Sequence, residues 1–151
     1  MNHYCHLQVT HFTFPSYLLF FIMYCMKFYV GQCKRQFQAE LCTASMYNVC
    51  STKTADEFQR LLNIETIPIE SCEIVTSNGH RLHTHQKIIV PITLYADKGR
   101  KLKYQVHFHI ISTIDTPILG YHFIFQKKFN MLNSKFLSID NCKVQIHLEN
   151  N

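Results

Sequence analysis

The sequence predicts a single, mainly β domain with two short helices. Three observations carry this prediction: short segments of alternating polarity, turn residues between those segments, and a chain length that suits one hydrophobic core. The chain has 151 residues, of which 47% are hydrophobic, and this apolar fraction excludes a disordered chain. Only four residues are glycine, which excludes collagen-like or linker-like material.

The first orderly pattern is a hairpin. Phe28 to Val30 and Gln36 to Leu41 flank Gly31-Gln32, a turn signal. In the second arm Phe37, Ala39 and Leu41 share one face, while the polar residues at 36, 38 and 40 take the other. The segment predicts one apolar face packed on the core.

Two further strand pairs follow later in the chain. Ile88 to Tyr95 is rich in β-branched residues, and a turn at Asp97-Lys98-Gly99 leads into the alternating segment Lys101 to Ile110. Phe136 to Ile139 and Val144 to Leu148 flank Asp140-Asn141 and predict a closing hairpin. We therefore assign residues 26–148 to the domain.

Two helices interrupt the strands. Thr54-x-x-Glu57 has the form of a capping box and predicts a helix over Ala55 to Leu62. Tyr121 to Phe129 carries apolar residues at roughly helical spacing and predicts the second helix.

Residues 1–25 form an apolar segment that we leave unassigned. Tyr17 to Met26 contains no charged residue, but a membrane span needs about 20 apolar residues. Met1 to His11 contains no Lys or Arg, which a signal peptide would carry. Buried strands, or a segment outside the domain, are the preferred interpretation, and a signal anchor is the alternative. No membrane partner is expected.

Charge and cysteine content restrict partners and location. The formal charge is +5, and the basic clusters at 34–35, 98–103 and 127–128 are too scattered in sequence for a continuous phosphate-tracking stripe, so no nucleic acid is required as a partner. The seven cysteines are odd in number, irregularly spaced and without a Cys-x-x-Cys pair. This pattern predicts reduced thiols and an intracellular, cytoplasmic location, and it excludes zinc binding by paired cysteines.

Residues 41–50 read LCTASMYNVC and lie between an alternating strand and the first helix. This segment resembles the signature of retropepsin-like aspartic proteases, the homodimeric enzymes of retroviruses and long-terminal-repeat retrotransposons. That signature is an apolar strand, then Asp-Thr-Gly-Ala-Ser, then Asn-Val-Ile and a helix. Ala39-Glu40-Leu41 is similar to the strand, Thr43 to the motif threonine, and Asn48-Val49-Cys50 to the tail.

Two more motifs follow in the family's order. Residues 75–82 resemble the flap hairpin, which implies that Asn78, Gly79 and His80 cover the substrate. Ile118-Leu119-Gly120 resembles the second signature, two apolar residues and a glycine that lead into a helix. The resemblance implies a closed β-barrel of the acid-protease type, a homodimer, a peptide or polyprotein substrate and no cofactor.

One departure bears on the mechanism. By the resemblance, Cys42, Thr43 and Ala44 occupy the catalytic motif, so Cys42 stands where the family has its aspartate and Ala44 where it has glycine. In the family, two carboxylates share a proton; one activates water while the other protonates the scissile carbonyl. A thiol has an ordinary pKa of about 8.5, against about 3.9 for Asp. Two thiols would remain mostly protonated at neutral pH and would activate water poorly.

No other aspartate replaces the missing one. Asp115-Thr116 is followed by Pro117 and precedes the second signature, so we interpret Asp115 as a turn residue. Cysteine as a nucleophile needs a nearby base or cation, and no histidine lies within the motif.

The ten histidines suggest a rival chemistry. His83 and His85 share one strand face, and His107 and His109 share another, so imidazoles from two strands would bind zinc if they converged. No carboxylate accompanies them at a diagnostic spacing, and solvent-facing positions are the simpler interpretation, so we predict no metal.

The sequence therefore predicts a retropepsin-like aspartic endopeptidase domain from a retroelement that is catalytically degenerate. A non-catalytic dimerisation or peptide-binding module on the same fold is the alternative. A histidine-bound metal protein is the third interpretation.

Overall fold

The structure is a computed structural model that describes residues 7–8, 24–32, 35–76 and 81–148. Its helices are α1 (Thr52–Leu62) and α2 (Tyr121–Gln126), and Asp97–Gly99 forms a short 3-10 turn. Its strands are β1 (Leu7–Gln8), β2 (Tyr24–Val30), β3 (Gln36–Cys42), β4 (Asn48–Cys50), β5 (Ile67–Thr76), β6 (Arg81–Tyr95), β7 (Lys101–Ile110), β8 (Ile118–Gly120), β9 (Asn130–Met131), β10 (Phe136–Ile139), β11 (Cys142–Gln145) and β12 (His147–Leu148).

The main sheet closes into a barrel. Its strand order is β1-β5-β6-β7-β4-β8-β3-β2-β12, and an additional pairing of β6 with β2 closes six strands into a ring. The strands β9, β10 and β11 form a separate three-stranded sheet. The prediction of a mainly β, closed-barrel fold with two helices is confirmed.

The first hairpin has the predicted turn. Gly31 has a φ of 57°, a left-handed conformation that favours glycine, so the turn accounts for the glycine at this position. Ala39 and Leu41 are fully buried, as predicted. Glu40, predicted on the polar face, is only 1% exposed, because at that end of β3 both faces of the sheet are covered.

The long hairpin β6–β7 confirms the alternation in Lys101 to Ile110, with Val106 and Phe108 buried. The predicted strand Ile88 to Tyr95 is longer than expected, since β6 begins at Arg81. The added residues are polar except for Leu82 and pair with β5, a ladder that hydropathy alone does not reveal.

The closing hairpin differs from the prediction in its second arm. β10 and β11 pair around Asp140 and Asn141, whose φ angles of 47° and 65° allow a tight hairpin turn. The segment Val144 to Leu148 does not continue as one strand. β11 ends at Gln145, and the next strand, β12, pairs with β2, which is the first strand of the barrel along the chain.

Both helices differ from their predicted bounds. α1 begins at Thr52, because the Ser51 hydroxyl accepts a hydrogen bond from the Thr54 N–H at 3.0 Å. The cap is therefore Ser51, and the prediction of Thr54 as the cap is wrong. α2 ends at Gln126 rather than Phe129, since Lys128 has a φ of 53° and cannot continue a helix.

Three aromatic rings pack together within a largely aliphatic core. Phe28 of β2, Phe58 of α1 and Phe108 of β7 are fully buried, with ring centroids 5.7 to 6.4 Å apart. α1 thus packs its apolar face on the barrel. Within the described residues, no helix is long and apolar enough to span a membrane.

Candidate active site

The candidate site is a loop that joins two strands on either side of a third. β3 ends at Cys42 and β4 begins at Asn48, and β8 lies between them. β8 runs parallel to β3, with Cys42 opposite Gly120, and antiparallel to β4, with Val49 opposite Ile118. We call residues 43–47 the motif loop. The second signature therefore lies directly against the first.

Backbone hydrogen bonds fix the motif loop. The Ser45 N–H donates to the Cys42 carbonyl at 3.2 Å and closes a turn around Thr43 and Ala44. The N–H groups at the start of α2 then hold the other side of the loop: Tyr121 donates to the Ser45 carbonyl at 2.6 Å and His122 to the Met46 carbonyl at 3.2 Å. The Ser45 hydroxyl donates to the Tyr47 carbonyl at 2.7 Å.

Gly120 allows β8 to pack closely against the motif loop because it has no side chain. A Cβ at Gly120 would lie 2.7 Å from the Ser45 carbonyl oxygen and closer still to that of Tyr47. The Gly120 N–H donates to the Asn48 side-chain oxygen at 2.8 Å, and the Asn48 amide donates to the His107 carbonyl at 3.2 Å. Asn48 therefore links three strands, which gives the asparagine in the motif tail a structural role.

Cys42 is fully buried at the end of β3. It belongs to a small apolar cluster that is separate from the barrel core and includes Val49, Ile74, Ile111, Ile114 and Ile118. Ile74 lies on β5 and Leu82, which packs on the same cluster, lies on β6. The base of the flap-like hairpin therefore covers the candidate catalytic position.

Thr43 and Ala44 form the tip of the turn. The Thr43 hydroxyl oxygen is buried and has no hydrogen-bond partner in the described part of the chain. Ala44 does not have a positive φ, so the alanine that replaces the family's glycine is compatible with this turn.

The flap prediction is met in part. β5 and β6 pair antiparallel, with Ile74 opposite Leu82 and Val75 opposite Arg81, so a hairpin lies at the predicted place. The predicted substrate-covering residues Asn78, Gly79 and His80 lie outside the described residues.

The histidine pairs do not converge. His83 contacts Ser71 at 3.1 Å and Glu73 at 3.6 Å on the hairpin, whereas His107 contacts Lys87 at 3.1 Å farther along the sheet. In the ranges that the structure describes, no group of three or more potential ligands is placed to hold a metal ion.

Two residues beside the site were not singled out from the sequence. Glu40 lies two positions before Cys42 on β3, so the two side chains share a strand face, and period-two spacing was the signal for it. Tyr47 packs against His109 with ring centroids 4.7 Å apart. Burial and the neighbouring Cys72 raise the pKa of Tyr47, and burial lowers the pKa of His109.

Comparisons with known proteins agree with this geometry at the level of the fold. Neither a protein-family model nor a curated protein sequence matches the chain. Among solved structures, the retroviral protease-like domain of Ddi1 from Leishmania major is similar, with a TM-score of 0.54 and 14% sequence identity. The match covers 86% of this chain and 98% of that domain.

The fold is therefore retropepsin-like. At 14% identity the similarity establishes the fold alone, and the activity has to be argued from the motif loop and the residues around Cys42.

Proposed function

We propose that the chain is a catalytically degenerate aspartic endopeptidase domain of a retroelement polyprotein, which acts as a homodimer. The observation that carries the proposal is the position of Cys42. It ends β3 opposite Gly120 and leads into the motif loop, whose backbone accepts hydrogen bonds from the start of α2, and it supplies a thiol where the family has a carboxylate.

The missing carboxylate accounts for the proposed loss of activity. Peptide hydrolysis by this fold needs one ionised carboxylate to take a proton from water and one protonated carboxyl to donate to the scissile carbonyl. A pair of Cys42 thiols offers no carboxylate to take the proton from water and no carboxyl group to donate to the scissile carbonyl. We expect a relic of a retroelement to keep the fold of the protease domain and to lose the catalytic aspartate.

The number of motif loops supports the homodimer. One motif loop per chain supplies only half of a two-carboxylate site, so a second copy is needed to complete it.

The test is to restore the missing aspartate at position 42 by substitution. Peptide-library cleavage is compared for the natural protein, Cys42→Asp, and Cys42→Asp combined with Ala44→Gly, over the acidic to neutral range and with and without pepstatin. We expect no cleavage by the natural protein and pepstatin-sensitive cleavage by at least one of the restored variants. Cys42→Ser is the matched control, since it changes the same atom without adding a carboxylate.

Glu40 needs its own control because it is a carboxylate on the same face of β3. If the natural protein cleaves and Glu40→Gln abolishes the activity, the site is not degenerate and Glu40 supplies the acid. If cleavage survives Glu40→Gln but is lost on alkylation of Cys42, the mechanism depends on the thiol. Either result would contradict the proposal.

The alternative is a non-catalytic dimerisation or peptide-binding module. The observation that favours it is the apolar packing of Cys42, which the base of the flap-like hairpin covers. Variants that stay folded, dimeric and inactive even with both substitutions would support this alternative.

A further inference from the structure

The strands on one side of the barrel contain no acidic residue. β2, β6 and β7 have no Asp or Glu, although each of them carries lysine. The acidic residues of the described chain lie on other elements, such as α1, β5 and the turns. These three strands therefore carry basic residues without acidic ones, a distribution that the net charge of +5 does not reveal.

The outward residues of β6 and β7 include lysines near both ends of the paired ladder, with the neutral residues Ile89, Pro91 and Gln105 between them. The register places Tyr95 opposite Lys101, Thr93 opposite Lys103, and Lys87 opposite His109. The even-numbered neighbours Ile88, Val90 and Leu94 are buried, so the odd-numbered positions point away from the core. We call the outward residues Lys87, Lys101, Lys103, His107 and Tyr95 the basic face.

The positive charge on the basic face is not neutralised locally. The ion pairs formed by arginines of the described chain join Arg35 to Glu57, Arg81 to Glu73 and Arg100 to Asp97. Lys87, Lys101 and Lys103 have no carboxylate within ion-pair distance among the described residues. Uncompensated lysines along one face create a potential that attracts anions.

An aromatic pocket adjoins the lysines. Tyr95 is 51% exposed, and its ring meets that of Tyr29 edge to face at 4.9 Å. The Lys101 ammonium lies 5.6 Å from the centre of the Tyr95 ring. Tyr29, Tyr95 and Lys27 line a cavity of about 560 Å³, which is within the size range of small-ligand sites.

Lysines disfavour a peptide strand as the occupant. β4 pairs with β7 only at residues 108–110, so the edge of β7 beside Lys101 and Lys103 has no strand partner among the described residues. Lysines on a sheet edge oppose the addition of another strand, so the occupant has to bind through side chains. The side chains present are those lysines, the Tyr95 ring and, in the adjoining pocket, Gln38 and His147. Lysines bind phosphates, and a tyrosine ring stacks on an unpaired base.

We propose that the basic face binds single-stranded nucleic acid, with phosphates along Lys101 and Lys103 and one base in the Tyr95 pocket. Same-face positions on a strand are about 6.8 Å apart, so consecutive lysines contact separate phosphates. A duplex keeps its bases stacked and paired and has none to place in the pocket. This site is separate from the motif loop and does not depend on the proposed proteolytic ancestry.

The experiment is fluorescence anisotropy of a labelled oligouridylate with the full chain, across a salt series. Lys101→Gln with Lys103→Gln is expected to weaken binding at least tenfold and to reduce the salt slope by about 1.4, since two phosphate contacts are lost. Tyr95→Ala is expected to weaken binding by about tenfold at an unchanged salt slope, whereas Tyr95→Phe keeps the ring and the affinity.

The matched control is Lys53→Gln with Arg60→Gln, which removes the same charge from exposed positions of α1. Circular dichroism and a thermal melt check that every variant is folded. The proposal is overturned if the α1 control weakens binding as much as the Lys101 and Lys103 change. It is also overturned if a duplex binds as tightly and without dependence on Tyr95, or if a polyglutamate peptide displaces the oligonucleotide at equal concentration.

Discussion

At the scale of single residues, the glycine requirement of the candidate site lies at Gly120 rather than at the motif loop. The Ala44 backbone does not have a positive φ, whereas a Cβ at Gly120 would collide with two carbonyl oxygens of the motif loop. Those oxygens belong to backbone that α2 holds by hydrogen bonds, so they cannot move aside cheaply.

Gly120→Ala is therefore expected to lower the free energy of unfolding by about 3 kcal/mol, the upper part of the range for overpacking. Ala44→Gly is the matched control and should change it by about 1 kcal/mol or less. Urea unfolding measures both variants. Equal effects of the two substitutions would show that the close approach at Gly120 does not exist.

His109 makes stability depend on pH. Burial lowers its pKa, and the nearby Lys87 lowers it further. The folded state then favours the neutral imidazole, so the contribution is present above the ordinary pKa of about 6.5 and is lost as pH falls through the lower pKa of the folded state.

We expect the free energy of unfolding to decrease as the pH is lowered from neutral into the acidic range, and to decrease less in His109→Gln. Urea titrations at several pH values measure this. If the variant and the natural protein show the same pH dependence, the ring is not held neutral by its surroundings.

At the scale of elements, the cap of α1 is the clearest correction to the sequence-based prediction. Thr54 and Glu57 have the spacing of a capping box, but Ser51 has the same spacing to Thr54 and lies where the chain leaves β4 in an extended conformation. The helix begins directly after the end of β4, so the position of its first residue depends on where that strand ends.

Ser51→Ala is expected to lower the free energy of unfolding by about 1 kcal/mol, because the Thr54 N–H loses its acceptor. The control is Thr52→Ala, an exposed position one residue along, where a change within about 0.5 kcal/mol is expected. Thermal melts of both variants give the comparison. A larger effect at Thr52 than at Ser51 would contradict the assigned cap.

At the scale of the whole molecule, the proposed dimer needs a strand at the edge of the main sheet. β12 pairs with the start of β2 and is an edge of the main sheet. A two-fold dimer sheet would draw on the closing strands, Phe136 to Leu148, and on the chain before Phe28. In the monomer β10 and β11 belong to the separate sheet, and the start of β2 is paired with β3 on one side and β12 on the other, so β12 remains the candidate strand for a dimer contact.

Sedimentation tests the dimer directly. A two-fold homodimer is expected to sediment at twice the mass of the chain at high micromolar concentration, and a monomer under those conditions would end the dimer proposal. Thr43→Val is expected to leave the free energy of unfolding unchanged or raise it, because it removes a buried hydroxyl that has no partner among the described residues.

A dimer that joins the two motif loops has to bring the two Cys42 thiols together, although each is fully buried in the single chain. Oxidation by a copper–phenanthroline catalyst is expected to give a cross-linked dimer in the natural protein and none through this position in Cys42→Ser. Cross-linking of equal yield in both proteins would place the contact elsewhere.

Sequence patterns alone predict the mainly β class, the hairpin turns, and the order of the motifs around Cys42 and Gly120. These are local features, because alternation, turn residues and motif spacing act over a few neighbouring positions. The folded chain was needed to show that β12 pairs with β2 rather than continuing β11, that Glu40 is buried beside Cys42, and that Lys87, Lys101 and Lys103 share one face with Tyr95. Each of these depends on which strands become neighbours, and strand pairing joins residues far apart in sequence whose own composition does not specify the partner.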